Sequence, residues 1–406
     1  MNGSFKLLAP LAATLLVAAC NAGGTSNVPQ GTVGNPARTH VRATMPQWEA
    51  MGLAKPACPM ILGKPACLAL IQSTSGNNPN VAGWAPSDFQ KLYNLPSSTN
   101  GSGEIVAIVD AYDNPNVASD LAAYRTQFGL GTANFSKYNQ SGQQKNYPRG
   151  DTGWGVEIDL DVQMVSAACP LCTIYLVEAD SSNNSDLDTA EETAVNLGAH
   201  VVSNSWICYQ SNACDNPTAF SAPGVVYTAG SGDAGYDLNG NPESLATVVS
   251  VGGTVISKNG SQYSETVWDG AGGGCSNNGS GQGVPKPKWQ RDPSCAYRTD
   301  SDVSAVAWNV AEYDSYGYGG WFTVGGTSVA TPLTAAVFAL AGNAAKQNAG
   351  RKFWRHHGHA PGELHYISSG NDGSCGGSYL CTAGTNQFKT YSGPAGWGTP
   401  NGIGSY

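Results

Sequence analysis

The residues around Ser328 have the types that a serine nucleophile needs. Residues 324–332 read Val-Gly-Gly-Thr-Ser-Val-Ala-Thr-Pro, and an apolar stretch follows, which predicts a tight turn leading into a buried helix. Glycine permits such a turn, and proline is tolerated in the first helical turn. A serine at this position is expected to be exposed, rigidly held and close to free backbone N–H groups, as nucleophilic catalysis requires. The alternative is a helix N-cap without a catalytic role.

A serine nucleophile needs a base, and the histidines do not offer one. The chain has six histidines. His40 lies in a predicted tether, and His200 begins a predicted strand. The other four crowd one basic segment and lie in no motif that would orient them: His356, His357, His359 and His365. The run His-His-Gly-His could bind a metal, but a solvated loop is the simpler interpretation, and we predict no metal site.

Carboxyl groups are better placed. Glu157 and Asp161 lie four residues apart in a segment with a helical pattern, so their Cβ atoms should be about 5–6 Å apart on one face, while Asp159 points elsewhere. Two carboxyl groups held together in a poorly hydrated cleft share one proton and titrate as a unit. Such a pair can take a proton from serine at acidic pH, where histidine is protonated. The alternative is a helix with an acidic face turned to solvent.

A third acid follows a predicted buried strand. Asp233 lies in the run Thr-Ala-Gly-Ser-Gly-Asp-Ala-Gly, residues 228–235, which predicts a glycine-rich turn at the carboxyl end of the strand. A carboxyl group kept protonated there can donate a hydrogen bond to an oxyanion. A plain Asx turn is the alternative.

Composition limits the function classes. The chain has 406 residues, of which 41% are hydrophobic and 12% are charged, and it contains 52 glycines. This predicts a turn-rich globular protein with one large domain or two ordinary ones. The formal net charge of −9 argues against nucleic acid as a partner.

The N-terminus reads as a targeting segment. Lys6 precedes an apolar stretch from Leu7 to Ala19 that is too short to span a bilayer, and two alanines come before Cys20. This resembles a bacterial lipobox, so residues 1–19 are predicted to be a signal peptide and Cys20 a lipidated first residue in the cell envelope. An ordinary secretory signal, cut nearby, is the alternative. Residues 20–81 are predicted to form a lipidated tether and a short N-terminal segment.

The remaining cysteines support export. Ten are left after Cys20, and they fall in near-neighbour pairs: Cys58/Cys67, Cys169/Cys172, Cys208/Cys214, Cys275/Cys295 and Cys375/Cys381. We predict five local disulfides, the usual state in an oxidising compartment, although sequence alone does not fix the connectivity. Cys169-Pro-Leu-Cys172 also has the spacing of a redox motif or half a zinc site, but no second such pair is present.

Strand and helix patterns alternate from residue 103 onwards. Apolar runs predict buried strands at residues 104–110, 173–177, 200–206, 224–230 and 248–252. Helical patterns cover residues 85–93, 116–128, 155–168 and 185–197. Such alternation predicts an α/β fold with a mostly parallel sheet covered by helices on both faces. Active sites on such sheets lie at the carboxyl ends of the strands.

Residues 82–406 resemble the sedolisin family, the serine-carboxyl peptidases. The Glu-x-x-x-Asp helix of that family is matched by Glu157 and Asp161, its Ser-Gly-Asp-x-Gly turn by residues 231–235, and its Gly-Thr-Ser-x-x-x-Pro turn by residues 326–332. Further matches lie at residues 203–206, 251–254, 268, 272–276 and 302–305. The resemblance implies a subtilisin-like fold and a peptidase domain over residues 82–406, acting as a monomer on polypeptides.

The resemblance also implies roles. Ser328 would be the acylating nucleophile, Glu157 the general base and then acid, Asp161 its tuning partner, and Asp233 the oxyanion stabiliser. Asp110 and Trp206 match residues that extend the carboxylate network. An acidic pH optimum follows.

Two departures from the family pattern are visible. The calcium site that family members carry has lost two expected anionic ligands, because Tyr366 and Ser392 stand at the aspartate positions. We therefore predict a weak or absent calcium site and no cofactor, with Asp372 as a displaced ligand at best. Family precursors typically have a long, folded prodomain, whereas only about 60 residues separate Cys20 from the predicted domain here. We therefore expect either that activation differs or that none is needed.

Two other functions stay open. A surface lipoprotein that binds peptides without cleaving them would not need all four catalytic residues. An esterase is less favoured, because no Gly-x-Ser-x-Gly elbow is present.

Overall fold

The computed structural model describes residues 1, 45–61, 63–72, 81–209, 214, 216–276, 283–346, 350–356, 363–388 and 390–406. The predicted signal peptide after Met1, the lipidation residue Cys20, and the histidines His40, His357 and His359 lie outside these residues, and only the backbone of His356 is described.

Seven α-helices lie within the described residues. They are α1 (Gln47–Ala50), α2 (Pro86–Leu92), α3 (Val117–Phe128), α4 (Thr152–Ala168), α5 (Asn184–Asn196), α6 (Thr327–Ala341) and α7 (Arg351–His356). The predicted bounds of α2 to α5 are correct to within three residues. None of the described helices is long and apolar enough to cross a membrane.

The same residues contain many strands, most of them short. They are β1 (Ala54–Pro56), β2 (Ala66–Cys67), β3 (Leu70–Gln72), β4 (Ile105–Ala111), β5 (Asn134–Asn139), β6 (Thr173–Ala179), β7 (Val201–Asn204), β8 (Trp206–Tyr209), β9 (Val226–Gly230), β10 (Gly240–Asn241), β11 (Val248–Asn259), β12 (Gln262–Val267), β13 (Gly274–Cys275), β14 (Thr299–Asp300), β15 (Val303–Val306), β16 (Val310–Asp314), β17 (Gly320–Gly325), β18 (Leu364–His365) and β19 (Thr399–Pro400).

The main sheet has eight strands in the order β12-β11-β9-β7-β4-β6-β5, with β15 beside β11. All neighbours run parallel except β12, which pairs antiparallel with β11. The central strand β4 is an apolar run buried on both faces, as expected for a strand covered by helices on each side. The prediction of a mostly parallel α/β sheet is confirmed.

The side chains of β4 alternate between two hydrophobic clusters. Val106 and Ile108 pack on one face with the apolar residues of α3, α4 and α6. Ala107 and Val109 pack on the other face with Leu187 and the alanines of α5. The helices therefore cover both faces of the sheet, and the carboxyl ends of β4, β7 and β9 meet at one edge.

The residues before the main sheet also join the fold. Strand β3 pairs antiparallel with β17 and with β1, while β2 pairs antiparallel with β8. These residues belong to one structural unit that spans Thr39–Tyr406. The sequence did not predict these strands, because residues 46–80 have little periodic pattern.

The five predicted disulfides are all present: Cys58–Cys67, Cys169–Cys172, Cys208–Cys214, Cys275–Cys295 and Cys375–Cys381. Each closes a local loop of at most 20 residues. The Cys169–Cys172 disulfide is buried, and its structural role remains a prediction.

Candidate active site

Helix α4 carries two carboxyl groups to the edge of the sheet. Asp151 caps the helix, because its side chain accepts hydrogen bonds from the backbone N–H groups of Gly153 and Trp154, both at 3.0 Å. Glu157 and Asp161 are completely buried on this helix. The alternative of an acidic face turned to solvent is therefore excluded.

Asp159 is also buried but points elsewhere, as predicted. Its Oδ2 accepts from the side-chain amide of Asn114 at 2.6 Å. Together with Asp120 and Asp314 it forms a group of three buried carboxyl groups whose oxygens lie within 4.8 Å of one another. Because each already accepts a hydrogen bond from a neighbouring residue, we assign no ligand to this group.

Glu157 and Asp161 have few donors around them. The Ser205 hydroxyl donates to Asp161 Oδ1 at 2.7 Å. Glu157 Oε2 accepts from the backbone N–H groups of Leu68 and Ala69, at 2.8 and 2.7 Å. None of the ion pairs between described residues includes either carboxyl group.

Burial raises the pKa of both groups. Desolvation raises the pKa of Glu157 well above its usual range, and the charge of Asp110 adds to this, while a hydrogen bond with Ser328 opposes it. The pKa of Asp161 is raised by burial first, then by the charges of Asp110 and Glu157. The two carboxyl groups also hydrogen-bond each other, which raises the pKa of Asp161 further, as expected for a pair that shares a proton.

Ser328 lies in the first turn of α6. Gly326, just before the helix, has a φ of 113°, a conformation that favours glycine. Pro332 lies at the sixth residue of α6, inside the helix and not in its first turn as predicted. Since proline has no N–H to bond four residues back, the carbonyl oxygen of Ser328 is left for the Ser205 hydroxyl, which lies 3.5 Å away.

The prediction that Ser328 is exposed is wrong, because it is completely buried. Its hydroxyl donates to the carbonyl oxygen of Ser205 at 3.4 Å. The hydroxyl also lies near enough to Glu157 to act against the rise in the pKa of that carboxyl group. The residues that cover this part of the cleft come from the N-terminal strands.

Asp233 lies three residues beyond the end of β9 and faces the start of α6. Its Oδ1 accepts from the backbone N–H and the hydroxyl of Thr327, at 2.7 and 2.9 Å. Its Oδ2 is buried and has no recorded partner within the described residues. Burial raises the pKa of Asp233 to about 7, although the hydrogen bonds from Thr327 oppose this.

Asp110 and Trp206 occupy positions behind the carboxyl pair. Asp110 is completely buried near the carboxyl end of β4, and burial raises its pKa to about 8. The indole N–H of Trp206 donates to the carbonyl oxygen of Val109 at 3.1 Å. Trp206 therefore fixes the strand that carries Asp110 and does not itself hydrogen-bond a carboxyl group.

Histidine is absent from the contacts described for this site. Of the six histidines, His200 and His365 have described side chains, and they lie near the carbonyl oxygens of Gly224 and Leu92.

The residues at the expected calcium position do not fit that ion well, since Ser392 supplies a short hydroxyl and Tyr366 an exposed phenol. The prediction of a weak or absent calcium site remains a prediction.

Sequence reasoning missed four residues that contact the site. Thr327 and Ser205 lie inside motifs that were recognised, so their position beside Asp233 and Asp161 could have been inferred from the motifs. Leu68 and Ala69 gave no such signal, because nothing in their neighbourhood predicts a strand across the cleft.

Comparison with known proteins gives a consistent result. The chain matches no protein-family model. It is 27% identical over 359 residues to sedolisin of Pseudomonas sp. (strain 101), an alignment that covers 78% of this chain and 60% of that protein. It is also 27% identical over 357 residues to kumamolisin of Bacillus sp. (strain MN-32), which covers 79% of this chain and 62% of that protein. The chain thus spans about 60% of the length of these curated relatives.

A solved structure of Pseudomonas sedolisin, a serine-carboxyl proteinase in complex with two molecules of pseudo-iodotyrostatin, matches the fold. The TM-score is 0.66 with 25% sequence identity, and the match covers 79% of this chain and 96% of the solved one. These likenesses support the sedolisin family. The fold is accordingly the α/β, subtilisin-like fold predicted from the sequence, and the sedolisin-like motifs lie together at one edge of its sheet.

Proposed function

We propose that the protein is a serine-carboxyl peptidase that hydrolyses peptide bonds at acidic pH. The observation that carries the proposal is the convergence of Ser328, the buried pair Glu157 and Asp161, and the buried Asp233 at one edge of the sheet. The likeness to sedolisin and kumamolisin supports the same activity.

In the acylation step, the Ser328 hydroxyl attacks the carbonyl carbon of the scissile bond, and Glu157 takes its proton. The proximity of Ser328 to Glu157, which acts on the pKa of Glu157, supports this role. Glu157 then passes the proton to the leaving amine, so that the C–N bond breaks. In deacylation a water molecule takes the place of the amine.

Asp233 stabilises the oxyanion together with the backbone N–H of Ser328. Its Oδ2 is free of recorded partners among the described residues, and Oδ1 is anchored by Thr327. A protonated carboxyl group in a water-excluded site donates a strong hydrogen bond to a developing negative charge.

The pH dependence follows from the protonation states. Asp233 must be protonated, and the pair of Glu157 and Asp161 must hold one proton. Since the pKa of Asp233 is raised to about 7, activity should be lost as the pH rises through that value. Asp110 contributes to this pH dependence, because its charge raises the pKa values of Glu157 and Asp161.

We also propose that the protein is exported and lipid-anchored through Cys20, acts as a monomer on polypeptides, and needs no cofactor. The five disulfides support an oxidising compartment.

A cleavage assay on casein at about pH 4 tests the function. Wild-type protein should release peptides and Ser328→Ala should not, while Ser304→Ala, which removes a buried hydroxyl that bonds only the Ala395 carbonyl oxygen, should match wild type. Casein that is bound but not cleaved at any acidic pH would favour the peptide-binding lipoprotein instead.

A further inference from the structure

A cavity of about 400 Å³ is formed by a turn at residues 287–291 and by helix α7. Its described lining consists of four cations and two tryptophans: Lys288, Trp289, Arg291, Arg351, Trp354 and Arg355. We call this cavity the basic pocket. The whole chain has only 20 lysines and arginines and a net charge of −9, so this gathering of cations runs against its composition. The volume is typical of a site for a small molecule.

The first wall of the basic pocket is a turn that is fixed to the fold. The Gln290 N–H donates to the carbonyl oxygen of Pro287 at 2.9 Å. The Gln290 side chain exchanges two hydrogen bonds with the backbone of Thr299, at 2.6 and 2.7 Å. The guanidinium group of Arg298 lies 5.3 Å from the centroid of the Trp289 ring and holds it by a cation–π contact. The turn is therefore a rigid support for the cations on it.

The second wall is α7, which is fixed through Trp354. This side chain is buried, its ring lies 4.7 Å from that of Tyr391, and its indole N–H donates to Asp302 Oδ1 at 2.7 Å. Arg351 and Arg355 are four residues apart and so share one side of the helix. Like charges at this spacing destabilise a helix, so the folding of α7 does not explain them.

Neighbouring cations that have a structural role are paired. Lys286 forms an ion pair with Asp292 at 2.6 Å. Arg298 forms one with Asp302 at 2.7 Å. None of the four pocket cations forms an ion pair with a described residue, and Arg351 Nε is shielded from solvent without a hydrogen-bond partner in that part of the chain. Because gathered like charges cost stability, this arrangement points to an anionic ligand.

The basic pocket is separate from the proposed active site. Phe353, next to Trp354 on α7, packs against Phe338 with ring centroids 6.1 Å apart. Phe338 follows Ser328 by ten residues on α6, which corresponds to about 15 Å along the helix. An anion in the basic pocket therefore lies beyond the reach of the Ser328 hydroxyl.

Phosphate is the anion that suits this pocket. The guanidinium fork of arginine binds phosphate or carboxylate oxygens through two parallel hydrogen bonds. At about pH 4 a carboxylate has lost about half of its charge. A phosphate ester keeps a negative charge there, because only its second pKa, near 6, lies above that pH. The half-buried Trp289 ring offers an apolar face to the organic part of such an ester.

We propose that the basic pocket binds the phosphate groups of an organic phosphate. Arg291 from the turn and Arg355 from α7 bind phosphate oxygens from the two walls, and Lys288 and Arg351 add charge. The choice of phosphate over carboxylate rests on the acidic activity proposed above. Phosphate groups of this kind occur on phospholipid headgroups, which the predicted anchor at Cys20 would bring close, and on soluble phosphate esters.

Calorimetric titration of the full chain with pyrophosphate tests the site. The chain carries Ser328→Ala, so that binding is measured without any peptidase activity. It also carries Cys20→Ala, so that no lipid is attached. At about pH 4 and about 0.15 M salt, pyrophosphate should bind to a single saturable site.

Two further pairs of substitutions in this chain locate the site. Arg291→Met with Arg355→Met, both at exposed positions, should weaken pyrophosphate binding by more than about tenfold, because each removes a charged hydrogen-bond donor. Lys64→Met with Lys145→Met removes the same charge at exposed positions outside the pocket. This control pair should keep the affinity within about twofold, since salt screens distant surface charges.

Vesicle sedimentation distinguishes the two sources of phosphate. The same chain should bind to phosphatidylglycerol vesicles and be released by pyrophosphate if headgroups fill the pocket, and it should not bind to phosphatidylcholine vesicles. Binding of pyrophosphate without binding to either vesicle would assign the pocket to soluble phosphate esters.

Three results would overturn the proposal. They are the absence of saturable pyrophosphate binding, an equal loss of affinity in the two pairs of variants, and citrate binding as tight as that of pyrophosphate at about pH 4. None of them bears on the peptidase function, which the casein assay tests separately.

Discussion

Two clusters of buried carboxyl groups differ in whether a positively charged side chain lies beside them. Around α4, the carboxyl groups of Asp110, Glu157, Asp161 and Asp233 form no ion pair with any described residue. Around Arg298, Asp302 accepts two guanidinium hydrogen bonds, at 3.1 and 2.7 Å.

The pKa values of the two groups shift accordingly. Burial raises the pKa of Asp233 to about 7 and that of Asp110 to about 8. Burial also acts on Asp292, but hydrogen bonds from Lys286, Thr299 and Tyr379 outweigh it and hold the pKa of Asp292 below its usual range. Burial alone therefore does not decide the charge of a carboxyl group in this protein; the donors around it do.

The Arg298 region also shows how short the reach of a cation is. Asp300 Oδ1 lies 3.9 Å from Arg298 Nε, and burial still raises the pKa of Asp300 to about 7 against this attraction. Carboxyl groups without any cation, such as those around α4, are therefore expected to hold protons into the neutral range.

The largest expected effect is on catalysis, at Glu157. Glu157→Gln should lower kcat/KM by about 10⁴-fold, because the amide cannot take the serine proton. Asp159→Asn changes a buried carboxyl group on the same helix outside the reach of Ser328 and should retain most of the activity. Equal losses in the two variants, measured on one peptide at acidic pH, would contradict the assignment of the base.

The next effect is on stability, in the Arg298 region. Arg298→Met should lower the free energy of unfolding by about 3–5 kcal/mol, since it leaves Asp302 buried without its cation. Arg291→Met, at an exposed position, should change it by less than about 0.5 kcal/mol. Urea unfolding at about pH 7 measures both. A small change in the Arg298 variant would mean that the hydrogen bonds between Arg298 and Asp302 add little to stability.

A smaller loss is expected at Asp233. Asp233→Ala should lower kcat by about 10²–10³-fold, the usual cost of removing an oxyanion donor. Asp233→Asn keeps a donor that does not titrate, so it should recover part of the loss and extend activity to higher pH. If the asparagine variant loses activity over the same alkaline pH range as the wild type, Asp233 is not the group whose titration causes that loss.

The smallest effect is on the melting temperature as a function of pH. Between about pH 4 and pH 8 the folded state holds protons on Asp110, on Asp233 and on the pair of Glu157 and Asp161 that the unfolded state has lost, so stability is greatest at the acidic end and falls as the pH rises. The Ser328→Ala chain, which cannot digest itself during heating, should therefore melt several degrees lower at the neutral end. A melting temperature that rises over this range would contradict protonated carboxyl groups in the fold.

The sequence predicted the residues that sit on regular elements. Glu157 and Asp161 could be placed together because four residues make about one helical turn, and Asp233 because it follows an apolar strand. Strands β4, β6 and β9 were found from runs of buried residues, and Trp206 was found within a motif.

The segment of residues 66–72, which contains β2 and β3, could not be predicted in the same way. Its pairing joins Ile71 to Val324 and Cys67 to Trp206, across long separations in the chain. The strand is short and has no alternation of polar and apolar residues, so only tertiary contacts determine its register. The burial of Ser328 was missed for the same reason, since it depends on these contacts and not on the turn around the serine.

The pH dependence of kcat/KM tests the central claim, that carboxyl groups without a cation or a histidine serve Ser328. The measurement uses one peptide that the wild-type protein cleaves. We expect a maximum at acidic pH and a decline as the pH rises through about 7, where Asp233 loses its proton. A plateau at neutral or alkaline pH, as a histidine base would give, would contradict the account.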